Sequence, residues 1–159
     1  MEEVMEKEKP DNRQLLLVVD DEPANLRVLN QVLNDTYKLV FAKSGQEALR
    51  LVEKERPNLI LLDIMMPEMT GYDVCEQLKK NIEFKSIPIL FVTALIDPTD
   101  EAEVLNLGAV DYISKPISPS VVKARVKTHL SLVDVEELKI RLTSLLEIRD
   151  ILKKKSGET

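Results

Sequence analysis

Cys75 is the only cysteine in 159 residues, so no disulfide framework can form within one chain, and a reducing, cytoplasmic setting is expected. No apolar run approaches the roughly 18 residues of a membrane span. The first residues, MEEVMEKEKPDNRQ, are polar and mostly charged, which excludes a secretory signal. Positive charge is not in excess either. The formal net charge of −6 gives no electrostatic footprint for nucleic acid, so any DNA-binding role would come from a partner. Internal repeats and low-complexity tracts are also missing. What remains is 44% hydrophobic and 31% charged, the balance of a globular protein long enough for a real core.

The chain is organised around NLILLDIMMPEMTG, residues 58–71. Its apolar run Leu59–Leu62 suits a central parallel strand buried on both faces, and it ends on a lone carboxylate, Asp63. Taken alone, that Asp reads as a helix cap or turn former. Leu15–Val19 is a second apolar run, ending on Asp20, Asp21 and Glu22, with Pro23 at a first helical turn. Leu26, Leu29, Val32 and Leu33 keep helical spacing up to about Asn34. Strands are expected at 37–42, 88–92 and 110–113. Ser44 and Glu47 read as a capping box before the second helix, which Pro57 stops. A third helix runs to about Asn81 and a fourth covers 97–107. From Ser118 the pattern stays helical to about Lys155, with no Gly or Pro after Pro119.

Five alternations of strand and helix give an α/β domain with a parallel sheet and right-handed crossovers. Such sheets bind ligands outside the carboxyl ends of their strands. Asp20 and Asp21, Asp63, Thr93 and Lys115 all fall at such ends. Three carboxylates brought together raise one another's pKa values unless a cation intervenes. An all-oxygen set suits Mg²⁺. With a lysine ammonium and a hydroxyl added, the set looks built to hold a phosphoryl group on Asp63, since aspartate is a nucleophile of this kind.

VVDDEP at the first strand end, LLDIMMPEMTG around Asp63, VTA at 92–94 and GAVDYISKP at 108–116 together resemble a response-regulator receiver domain of two-component signalling. The resemblance covers roughly residues 14–131. It implies a flavodoxin-like, doubly wound five-stranded parallel sheet of order 2-1-3-4-5. It implies Asp63 as phosphoacceptor, with a histidine kinase or phosphotransfer protein as donor, in a chain that is not otherwise an enzyme. Asp21 would bind Mg²⁺ directly, Asp20 through water, and the Met65 backbone carbonyl would be a further ligand. Lys115 would pair with the phosphoryl group, and Thr93 and Tyr112 would form the switch pair. The Lys115–Pro116 bond is expected to be cis. In the family, the side chains that hold an attacking water sit two residues beyond the phosphoacceptor and two beyond the switch threonine. Here they are Met65 and Leu95, neither a useful hydrogen-bonding group, so self-dephosphorylation should be slow.

Plainer readings stand beside these. Thr93 alone would be a satisfied strand-end hydroxyl, and Tyr112 alone is as consistent with core packing. His129 reads as a surface or interface residue, Cys75 as inert core, and Lys153–Lys155 as a solvated helix end complementing the dipole. A flavodoxin would want a loop able to cradle phosphate where this chain has three acids. An aspartyl phosphatase would want a second acid at the place of Met65.

Residues 1–14 are expected to be a flexible arm, 15–131 the receiver and 132–159 a helical extension. Val135, Leu138, Leu142, Leu145 and Leu152 keep a spacing of three and four, with Arg149 in the one polar place and an opposite face expected to be charged. This predicts a homodimer seam centred on Leu138, Leu142 and Leu145, the alternative being a helix folded back on its own domain. The chain would be a stand-alone regulator, a receiver-plus-linker piece ahead of a cyclic-dinucleotide output domain, or a dimerisation module independent of phosphorylation.

Overall fold

The computed structural model describes residues 11–94 and 98–157, with side chains described throughout except at 98–101. Elements follow in the order β1 (Leu15–Val19), α1 (Pro23–Leu33), β2 (Lys38–Ala42), α2 (Gly45–Glu55), β3 (Leu59–Asp63), α3 (Gly71–Lys80), β4 (Ile89–Thr93), α4 (Pro98–Asn106), β5 (Asp111–Ser114) and α5 (Pro119–Lys155). The strands form one parallel sheet of order β2-β1-β3-β4-β5, the flavodoxin-like order expected.

The continuous apolar runs are explained by burial on both faces. Leu17, Val19, Ile60, Leu62, Ile89 and Phe91 point into one core with α2, α3 and α4. Their strand neighbours, among them Leu16, Val18, Leu61 and Val92, point into a second core with α1 and α5. A strand's period of two divides each run between two layers, so no position is left for a polar residue until the strand ends. β4 starts one residue later than expected. Pro88 has no N–H for the ladder, although its carbonyl still accepts from the Ile60 N–H at 3.0 Å.

Local signals fix the helix starts. Ser44 Oγ accepts the Glu47 N–H at 3.1 Å, but the Glu47 carboxylate lies 3.4 Å from the Lys43 N–H, so only half of the expected capping box forms. A complete box opens α3, where Thr70 and Asp73 bond each other's backbone N–H groups. The spacing Thr-x-x-Asp carried that signal, with Asp in the place usual for Glu.

Of the expected arm, residues 1–10 lie outside the described residues. Asp11–Gln14 are held: Arg13 pairs with Asp11 at 2.8 Å and donates to the Asn34 carbonyl, while the Gln14 carbonyl accepts from Lys38. His129, expected as a surface or interface residue, has a partner within the chain. It is half-buried, with Nε2 3.0 Å from Asp111 Oδ2, and Arg125 Nη1 meets both oxygens of the same carboxylate at 2.8 Å. Burial works against the Asp111 charge, but His129, the Tyr112 N–H and Arg125 together hold its carboxyl below the usual carboxylate range.

Val122, Val126 and Leu130 bury the first half of α5. Beyond Leu130 the helix leaves the sheet, its 37 residues spanning about 55 Å in all. The far half does not fold back: Leu138, Leu142 and Leu145 are each about 60% exposed. The face opposite them is not uniformly charged, because Ile140 and Ile151 lie there among the acids and lysines. Among the described residues, no helix is long and apolar enough to cross a membrane.

Candidate functional site

The parallel order brings the ends of β1 and β3 side by side, with β4 and β5 next to them, so the polar residues at those ends meet. Asp20 follows β1 and Asp63 closes β3; they are 1% and 5% exposed, and Thr93 at the end of β4 is 2% exposed. Asp21 is partly exposed beside them. Carboxylate oxygens of Asp20, Asp21 and Asp63 lie within 4.8 Å of one another. Lys115 Nζ lies 2.9 Å from Asp20 Oδ2 and 3.4 Å from Asp63 Oδ1.

Backbone bonds hold these groups in place. The Asp20 N–H donates to the Ala42 carbonyl, and Asp20 Oδ1 accepts the Glu22 N–H at 2.9 Å, which fixes the acidic loop as a turn. The Lys115 N–H donates to the Thr93 carbonyl at 2.8 Å, tying the lysine loop to the threonine strand. The peptide bond between Lys115 and Pro116 is cis, as expected. The Gly71 N–H donates to the Ile64 carbonyl at 2.9 Å, folding the loop after Asp63 back against its strand. A β-carbon on Gly71 would collide with the Asp63 carbonyl oxygen and lie 2.8 Å from Ile64 Cα. Glycine is required there by close approach of two backbones, and only the fold reveals that need.

The electrostatics are those of a site short of positive charge. Burial, and then the neighbouring Asp20 carboxylate, push the Asp63 carboxyl up to about 6, against the pull of Lys115 and a hydrogen bond from the Met65 backbone N–H. Burial disfavours the Lys115 ammonium, but Asp20 and Asp63 outweigh it and hold that group above the usual lysine range. Three acids and one ammonium leave a formal charge of −2, which one divalent cation cancels. The donors are all oxygen, the set that hard Mg²⁺ prefers. The chemistry of the residues therefore fits the metal.

Thr93 pairs in register with Ser114 and Phe91 with Tyr112, so Thr93 and Tyr112 share a sheet face on adjacent strands. Tyr112 is partly buried against the core on that face. Met65 is 65% exposed at the mouth of the site, while Leu95 lies outside the described residues.

A family model described as "Response regulator receiver domain" matches residues 16–127. A Vibrio cholerae protein named "Probable cyclic di-GMP phosphodiesterase" is 39% identical over 143 residues, covering 90% of this chain and 32% of that protein. The "Probable transcriptional regulator ycf27" of Porphyridium aerugineum is 43% identical over 131 residues, covering 82% of this chain and 51% of its own length. The chain thus spans between a third and about half of these two relatives. Among solved structures, the receiver domain of a signal transduction histidine kinase from Syntrophus aciditrophicus superposes with a TM-score of 0.69 at 38% identity, over 74% of this chain and 90% of that one. Fold, site and relatives agree: the chain belongs to the response regulator receiver domain family of two-component signalling.

Proposed function

We propose that residues 15–131 act as the receiver, and that Asp63 takes a phosphoryl group from a histidine kinase or a phosphotransfer protein with Mg²⁺ bound beside it. An Asp63 oxygen attacks phosphorus while the bond to the donor breaks, giving an aspartyl-phosphate. The observation that carries this reading is the buried Asp63 carboxylate flanked by two further acids and one lysine. Asp21, Asp63 and the Met65 carbonyl would hold the metal directly. Asp20 has Glu22 N–H on one oxygen and Lys115 on the other, which favours its contact through water. The metal would neutralise the acids and the incoming phosphoryl oxygens. Lys115 would pair with the phosphoryl group, and the Thr93 hydroxyl would move towards it, giving Tyr112 room to turn inward. The chain is not an enzyme acting on others; it assists its own phosphorylation and its loss. Mass spectrometry after treatment with a small phosphodonor tests this. Wild type should gain one phosphoryl group only with Mg²⁺ present, and Asp63→Asn should gain none. Undiminished modification of that variant would overturn the assignment.

The lifetime of the phosphoryl group follows from Met65. A thioether beside Asp63 cannot orient an attacking water, so loss should be slow. Met65→Asn should speed it by roughly tenfold, equivalent to about 1.4 kcal/mol of orientation. Equal decay in the two proteins would show that Met65 does not control water access.

Residues 132–159 form the helical extension in this reading, and a second copy of the chain pairs through it, with Leu138, Leu142 and Leu145 at the centre. The exposed leucines of α5 support it. A second reading is a receiver-plus-linker piece ahead of a cyclic-dinucleotide output domain. It is favoured by the Vibrio cholerae relative, whose match covers 90% of this chain. Whether the reading frame continues past Thr159 discriminates between them.

A further inference from the structure

The leucine seam of α5 does not begin at Val135. Continued backwards at the same spacing of three and four, it passes through Ser131, Thr128, Ala124 and Val121, all exposed although they lie in the half of the helix docked on the receiver. The outer face is therefore one stripe from Val121 to Leu152, about half a turn away from Val122 and Val126, which face the core. Its two halves differ in bulk: Ala, Thr and Ser in the first, leucines and Arg149 in the second.

We infer that a second copy of this chain packs antiparallel along the whole outer face of α5, with Ala124 of one helix against the partner's Arg149. This rests on the proposed pairing through α5 and adds its direction and register. Bulk is the first argument. In a parallel pair, each layer meets its own copy, so leucines would hold the axes apart in one half while Ala124 and Ser131 left a gap in the other. Run antiparallel about a point between Val135 and Leu138, every small residue meets a large one: Thr128 meets the partner's Leu145 and Ser131 meets the partner's Leu142. One axial separation then suits every layer. Charge is the second argument. A parallel pair sets Arg149 against its own copy, with Ile148 and Lys153 flanking it and offering no acid. The antiparallel pair sets it against alanine. It also places Asp134 beside the partner's Arg141, twice by symmetry, and the arginine it sets near the partner's Arg149, Arg125, is already paired with Asp111.

Cysteine cross-linking reads the direction. Cys75 is fully buried, with its thiol pushed up by burial, and does not compete. Ala124→Cys and Arg149→Cys are made separately in the full chain and oxidised mildly, with Mg²⁺ and phosphodonor and without. A mixture should cross-link as a heterodimer, while neither variant alone should, because two Ala124 positions would lie about 37 Å apart. Self-cross-linking of either variant would overturn the antiparallel register in favour of a parallel one. Wild-type sedimentation separates the two levels. A dimer without the heterodimer cross-link sinks the register alone, and a monomer under all conditions sinks the pairing as well. As an independent check, Asp134→Arg should weaken the dimer roughly fivefold and Asp134→Arg with Arg141→Asp should restore it. If the double variant stays as weak as the single one, the contact is wrong.

Discussion

Asp63→Asn is expected to be more stable than the wild-type chain at neutral pH without metal, although it loses the proposed phosphoacceptor. In the folded chain the carboxyl titrates at about 6 against an ordinary value of 3.8. The sign follows from proton binding. Between about pH 4 and pH 6 the native state holds the Asp63 proton that the unfolded chain has released, so stability falls as pH rises through that window. The full difference corresponds to about 3 kcal/mol, present as extra stability below pH 4 and absent above pH 6. Removing the charge should recover about 2–3 kcal/mol at pH 7 and flatten this part of the stability profile. Denaturant unfolding of both proteins between pH 4 and pH 8 in chelator measures it. Mg²⁺ should do in wild type what the amide does in the variant, raising its unfolding midpoint and leaving Asp63→Asn less affected. A wild-type profile already flat from pH 4 to pH 6 would count against a strained carboxylate.

Gly71→Ala should be the most damaging single methyl group in the receiver. Its β-carbon would overlap the Asp63 carbonyl oxygen and crowd Ile64 Cα, both backbone atoms that cannot rotate aside. The loop must move, and with it the Gly71 N–H bond to the Ile64 carbonyl. Overpacking of this kind costs about 1–3 kcal/mol, with a lost backbone hydrogen bond in addition. Phosphodonor uptake should fall at least tenfold even where the variant remains folded, because the displaced atoms belong to the proposed phosphoacceptor itself. Stopped-flow phosphorylation beside thermal unfolding separates the two effects. Wild-type stability together with a wild-type rate would show that the loop has slack.

The parallel α/β architecture and the meeting of four strand ends were legible in the sequence because apolar runs, acids and loop signals alternate so regularly; the strand order came from the family resemblance. Asp20, Asp21, Asp63 and Lys115 were expected at neighbouring strand ends, and the fold gathers them there. The backbone contact at Gly71 was not legible, since a glycine after a loop looks the same whether it turns, caps or touches another strand. The pairing of His129 was not legible either, because its partner, Asp111, is eighteen residues away on a strand, and only docking α5 on β5 brings them to 3.0 Å. The half-formed box at Ser44 failed for a smaller reason: Glu47 reaches the N–H of Lys43, one residue short of the expected one.

Between Ser120 and Lys155 there is no glycine or proline to act as a joint. Mechanically, α5 is a lever. Its short arm lies between Val122 and Leu130 on the sheet, and its fulcrum is the clasp of Asp111 by Arg125 and His129, one residue from Tyr112. The long arm, from Leu130 to Lys155, is about 37 Å. A tilt of about 5° at the fulcrum, too small to break a buried contact, would sweep the far end through about 3 Å, most of a side chain's width. A rearrangement of one ring on β5 can thus become a displacement at the lever's tip that a partner could read.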